Sequence, residues 1–114
     1  MIYGLDLSLT ATGLAALDQQ NQLTVGTFGT PAKMKVEARL TEMARQVDTR
    51  IVAPELVVIE GLAFGANDPS AHERAALHYI VRCNLWSDET RVLVVPPSTL
   101  KKFITGKGSA KKEM

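Results

Sequence analysis

The sequence predicts an α/β fold, a mixed five-stranded sheet with three antiparallel strands followed by parallel ones and helices on both faces. Three observations carry this. The first 30 residues hold three short apolar segments separated by turns too brief for a helix. Two later segments carry apolar residues at helical spacing, and each is followed by an unbroken run of four aliphatic residues. A strand, helix, strand order demands a right-handed crossover and places its strands parallel.

Each element follows from local sequence. Residues 2–7 are mainly apolar, Thr10 to Gly13 reads as a turn, and Leu14 to Leu17 resume an apolar run before the polar cluster Asp18 to Gln22. Leu23, Val25 and Thr27 then alternate with Thr24 and Gly26, as in a strand. Thr30-Pro31 fits an N-cap and first helical position, and Val36, Leu40, Met43, Ala44, Val47 and Ile51 form one stripe on a helix over residues 32–52. Pro54 ends that helix. Leu56 to Ile59 suits a central strand covered on both faces, terminated by Glu60. Ser70 and Glu73 form a capping-box pattern that opens a second helix, on which Ala76, Tyr79, Ile80, Cys83 and Trp86 share a face. Val92 to Val95 is a second buried strand, stopped by Pro96-Pro97. Ser98 caps a short helix from Thr99 to Thr105, and Ser109 opens a further one that residue 114 cuts short. The expectation is a single domain over residues 1–114 that lacks its final helix.

Composition narrows the class. The 114 residues carry 13 Lys+Arg against 12 Asp+Glu, 46% hydrophobic residues and one Cys, too apolar and too balanced for disorder and without a disulfide framework. The opening residues lack a basic n-region, and Asp6 interrupts them, so neither a signal peptide nor a membrane span is expected and the cytoplasm is the expected setting. Charge is uneven. Residues 91–114 hold Arg91, Lys101, Lys102, Lys107, Lys111 and Lys112 against Glu113 alone, leaving a net negative remainder. The basic end suits a polyanion, although lysines on a solvated tail serve solubility equally.

Two carboxylates carry the chemistry. Asp6 lies in an apolar strand, where an ionised group needs a cation or hydrogen-bond donors, and turn amides and hydroxyls near Ser8, Thr10 and Thr12 would also satisfy it. Glu60 ends a second interior strand. If the two strands are neighbours, both acids emerge at one rim of the sheet, where like charges share a proton or hold a cation. A hard divalent ion suits oxygen ligands, and Mg2+ in such sites activates water and stabilises charge on a phosphoryl group. Gly4 and Gly13 flank the acidic strand and turn, leaving space for a sugar-phosphate backbone. His72 and His78, six residues apart on one helix, make a poor metal pair. Cys83 and Trp86 read as core on the apolar stripe. Phe64, an aromatic in a glycine-flanked loop four residues after Glu60, suits stacking on a base or packing back on the domain.

These residues resemble a family. Gly4 to Gly13 (GLDLSLTATG), Val57 to Glu60 (VVIE) and Pro97 to Lys112 (PSTLKKFITGKGSAKK) are similar in order and spacing to the RuvC-type Holliday junction resolvases of the ribonuclease H-like superfamily, over essentially the whole chain. The resemblance implies a homodimeric, Mg2+-dependent endodeoxyribonuclease that nicks four-way DNA junctions in recombination or repair, with Mn2+ a possible substitute. Asp6 and Glu60 match the family's first two catalytic metal ligands. Lys101, Lys102, Lys107, Lys111 and Lys112 match its basic DNA-approaching segment, and Phe64 lies near its junction-facing aromatic. The family completes its metal site with acids on a late helix, to which none of Asp68, Glu73, Asp88, Glu89 and Glu113 corresponds.

Two other functional classes stand against this one. A catalytically incomplete module of the same fold would bind branched DNA through phosphate contacts alone, giving salt-sensitive binding that survives metal chelation. An actin-like or sugar-kinase phosphotransferase shares a glycine-Asp-threonine first turn, but it needs a second lobe that 114 residues leave no room for, so no nucleotide cofactor is expected.

Overall fold

The computed structural model describes residues 1–62 and 70–96. Strands β1 (Ile2–Asp6), β2 (Thr12–Leu17) and β3 (Leu23–Phe28) form an antiparallel meander, followed by α1 (Val36–Arg50), β4 (Leu56–Glu60), α2 (Ala71–Ser87) and β5 (Val92–Val95). The five strands make one sheet in the order β3-β2-β1-β4-β5, with β1–β4 and β4–β5 parallel. The mixed sheet expected from the sequence is therefore observed.

One core organises these elements. Tyr3 and Leu5 on β1 and Val57 and Ile59 on β4 point to the same face, because the parallel register pairs Tyr3 with Val57 and Leu5 with Ile59. Met43 and Val47 of α1 and Leu77, Val81 and Leu85 of α2 close on them in a single apolar cluster. Both helical crossovers join parallel strands and step the same way across the sheet, from β3 over β2 and β1 to β4 and from β4 to β5, so right-handed connections put α1 and α2 on one face. On the opposite face Leu23 and Val25 are 65% and 71% exposed. The helices expected after residue 98 lie outside the described residues.

Three local expectations are corrected. Thr30 does not cap α1, which starts at Val36 with Lys35 at its N-cap. The Thr30 hydroxyl instead donates to the Leu9 carbonyl at 2.7 Å, a buried acceptor that an exposed cap position cannot match. On α2 the stripe through Tyr79, Cys83 and Trp86 faces outward, Tyr79 and Trp86 being 56% and 80% exposed. The sheet is met by the stripe Leu77, Val81 and Leu85, whose aliphatic side chains spaced four apart pack more closely on the flat sheet face than an indole and a phenol that keep polar tips wet. Finally β5 is an edge strand, its Leu93 half-exposed, because no further strand pairs beyond it among the described residues.

Candidate active site at the rim of β1 and β4

Asp6 is the last residue of β1 and Glu60 the last of β4. The register runs parallel through Leu5 opposite Ile59, so the next step along each strand sets Asp6 beside Glu60 on neighbouring strands. Strands so paired lie about 4.8 Å apart. Side chains alternate, and both acids share the face turned away from α1 and α2, opposite to Leu5 and Ile59. Asp6 is exposed and Glu60 half-buried.

The flanking residues hold this pair in place. Across the antiparallel ladder Asp6 faces Gly13, where an added Cβ would stand 3.7 Å from the Asp6 Cβ, so the glycine keeps the flank of the carboxylate open. Glu60 pairs with Val95, and the next amide, Gly61 N–H, donates to the Val95 carbonyl at 2.7 Å. An added Cβ on Gly61 would come within 3.2 Å of Val94, so β5 seats tightly against the end of β4.

Beyond Asp6 the chain forms a compact turn. Thr12, fully buried, donates from its hydroxyl to the Ser8 carbonyl at 2.6 Å and accepts the Ser8 N–H at 3.0 Å. The Ser8 hydroxyl accepts the amides of Thr10 and Ala11 at 3.2 and 3.4 Å. The hydroxyl oxygens of Ser8 and Thr12 are thus engaged with the turn's own backbone. Thr30, which the sequence offered only as a helix cap, and Arg39, absent from the sequence reading, tie this turn to β3 and α1.

Two carboxylates with hard oxygen donors fit a divalent cation of the Mg2+ class and leave most coordination positions to water and substrate. Among the described residues no group of three or more His, Cys, Asp or Glu side chains gathers. Asp88 and Glu89 follow α2 and lead into β5, at the rim where β4 and β5 begin, opposite to Asp6 and Glu60. His78 is buried among the α2 core residues, and His72 lies in the first turn of that helix. Phe64, Asp68, Lys101, Lys102, Lys107, Lys111, Lys112 and Glu113 lie outside the described residues.

The family model described as crossover junction endodeoxyribonuclease RuvC matches residues 2–114. The chain belongs to the RuvC family. Its enzymatic class is therefore that of a crossover junction endodeoxyribonuclease, a junction-resolving nuclease. The RuvC structure of Thermus thermophilus superimposes with a TM-score of 0.70 at 21% identity, covering 98% of this chain and 73% of that one. T. thermophilus RuvC in complex with a Holliday junction substrate gives 0.72 at 16% identity, covering 95% and 73%. The yeast mitochondrial Holliday junction resolvase Ydc2 gives 0.62 at 10% identity, covering 93% and 56%. At these identities the structural likeness establishes the fold, which is the ribonuclease H-like fold of RuvC and its neighbours. No curated protein matches the sequence. Among the described residues, no helix of this RuvC-family chain is long and apolar enough to cross a membrane.

Proposed function

We propose that residues 1–114 act as one ribonuclease H-like nuclease domain that hydrolyses phosphodiesters in four-way DNA junctions in the cytoplasm, using Mg2+ held by Asp6 and Glu60. The observation that carries this is the adjacency of the two acids at one rim of a RuvC-family sheet. When bound, the cation supplies charge stabilisation to the phosphoryl group and lowers the pKa of water, with Mn2+ able to replace Mg2+. Asp6 and Glu60 contribute fixed negative charge on rigid strand ends, so little reorganisation is needed as the site loads. Gly13 leaves the approach beside Asp6 unobstructed for a sugar-phosphate backbone. Lys101, Lys102, Lys107, Lys111 and Lys112 neutralise phosphates along the junction arms, and Phe64 stacks at the junction.

Symmetric nicking of a four-way junction needs two sites, and we assign the chain to a homodimer. The exposed Tyr79 and Trp86 of α2, with Thr90, Val92 and Val94, line a largely apolar groove that a second copy would cover.

The decisive experiment is cleavage of an end-labelled immobile four-way junction in Mg2+, comparing the chain with Asp6→Asn. Metal-dependent paired nicks that disappear in the variant are the expected result. Equal cleavage by both proteins would overturn the assignment of Asp6. Tight junction binding without cleavage by either would replace the nuclease reading with that of a catalytically incomplete branched-DNA-binding module.

A further inference from the structure

We propose that the Thr30 hydroxyl, itself held by Arg39, is a positioning group for Asp6 and sets how tightly the Asp6–Glu60 pair takes a divalent cation. The proposal rests on the reading of those two acids as a cation site. Asp6 is held on its N-terminal side by the β1 ladders, and on its C-terminal side, where the chain leaves the sheet, its backbone is oriented by the five residues that follow.

Their link to β3 and α1 runs through Leu9. The Leu9 carbonyl accepts two hydrogen bonds from Thr30, from the amide at 3.1 Å and from the hydroxyl at 2.7 Å. Arg39 Nε donates to the same hydroxyl oxygen at 2.9 Å. With its oxygen engaged by a cationic donor, the hydroxyl proton is directed at Leu9, and a charge-assisted bond polarises the next one in the chain. Thr30 is 8% exposed, so water does not readily replace it. Beside it, a Cβ on Gly29 would overlap the Thr10 carbonyl, so the backbones of the turn and of the β3 exit meet without room for any side chain. Leu7 and Leu9, both buried, pin the turn from the core side. The end of β3, the first turns of α1 and the segment after Asp6 therefore converge on one hydroxyl. Groups that orient a metal ligand from behind commonly change affinity by one to two orders of magnitude when removed.

The test is Mn2+ titration of the full chain by NMR, read as paramagnetic broadening of the Asp6, Leu7 and Glu60 amides, so that no cleavage is required. Thr30→Val keeps the side-chain shape and the main-chain bond but removes the hydroxyl. The Mn2+ concentration giving half-broadening is expected to rise about tenfold in Thr30→Val, to return to the wild-type value in Thr30→Ser and to rise in Arg39→Met. An unchanged midpoint in folded Thr30→Val overturns the proposal, even if its Tm falls, because a merely structural bond would lower Tm alone. If Thr30→Val does not fold, Arg39→Met, at a half-buried position in the first turn of α1, decides by the same midpoint. Broadening that is absent from the unaltered chain, or that persists unchanged in Asp6→Asn, overturns the cation reading itself and the positioning proposal with it.

Discussion

At His78 the cost of burying an ionisable group is written into stability. The ring is 3% exposed on the core side of α2, and burial foremost, then the positive charge of Arg82, holds its pKa below the ordinary histidine value. A depressed folded-state pKa means that the native chain resists a proton that the unfolded chain accepts. The stability it contributes is complete above the unfolded pKa of about 6.5 and is lost as pH falls below that value toward the folded pKa. Urea unfolding between pH 7 and pH 5 is expected to show stability falling with pH, with a slope from this one proton of no more than about 1.4 kcal/mol per pH unit. His78→Leu should remove that component, and an identical slope in the variant would mean that other groups carry it.

Element α2 carries two apolar stripes, and only one of them met the sheet. Leu77 is fully buried beneath the helix, whereas Trp86 projects from the outer side. Leu77→Ala is expected to cost about 2–5 kcal/mol, the combined loss of transfer free energy and of packing around the cavity. Trp86→Gln should change monomer stability by less than about 0.5 kcal/mol. Denaturant midpoints of the two variants check the assignment directly. If the outer stripe is where a second copy sits, Trp86→Gln should also shift sedimentation from dimer to monomer while leaving the far-ultraviolet spectrum unchanged.

Across the whole molecule, charge is separated along the chain, with the acids paired at the β1–β4 rim and the lysines concentrated after residue 100. If three of those lysines neutralise phosphates, the triple variant Lys101→Ala, Lys102→Ala, Lys107→Ala should bind junction DNA more weakly and flatten the dependence of log K on log salt by about 3. The measurement is a fluorescence anisotropy titration at several salt concentrations in EDTA, so that binding is read apart from cleavage. An unchanged slope would show that phosphate contacts lie elsewhere.

Much of the architecture was legible in the sequence because it is set by local periodicity. The meander, both helices and the boundaries of β4 at Leu56 and Glu60 follow from apolar spacing, turn residues and prolines, each acting within a few positions. Asp6 and Glu60 stood out for the same reason, as charges breaking apolar runs where desolvation makes a charge costly. Which side of α2 is buried was not legible, because Leu77, Val81 and Leu85 compete with Tyr79, Cys83 and Trp86 at the same helical period and only the approach angle of the sheet selects between them. Nor could local pattern assign Thr30, a sound N-cap by type, to the Leu9 carbonyl 21 residues away. The sequence by itself determined the order of elements and the two acids at strand ends. Tertiary structure decided that β1 and β4 are neighbours in a register that brings those acids together, because strand pairing is a long-range choice made by the shared core and not by either strand alone.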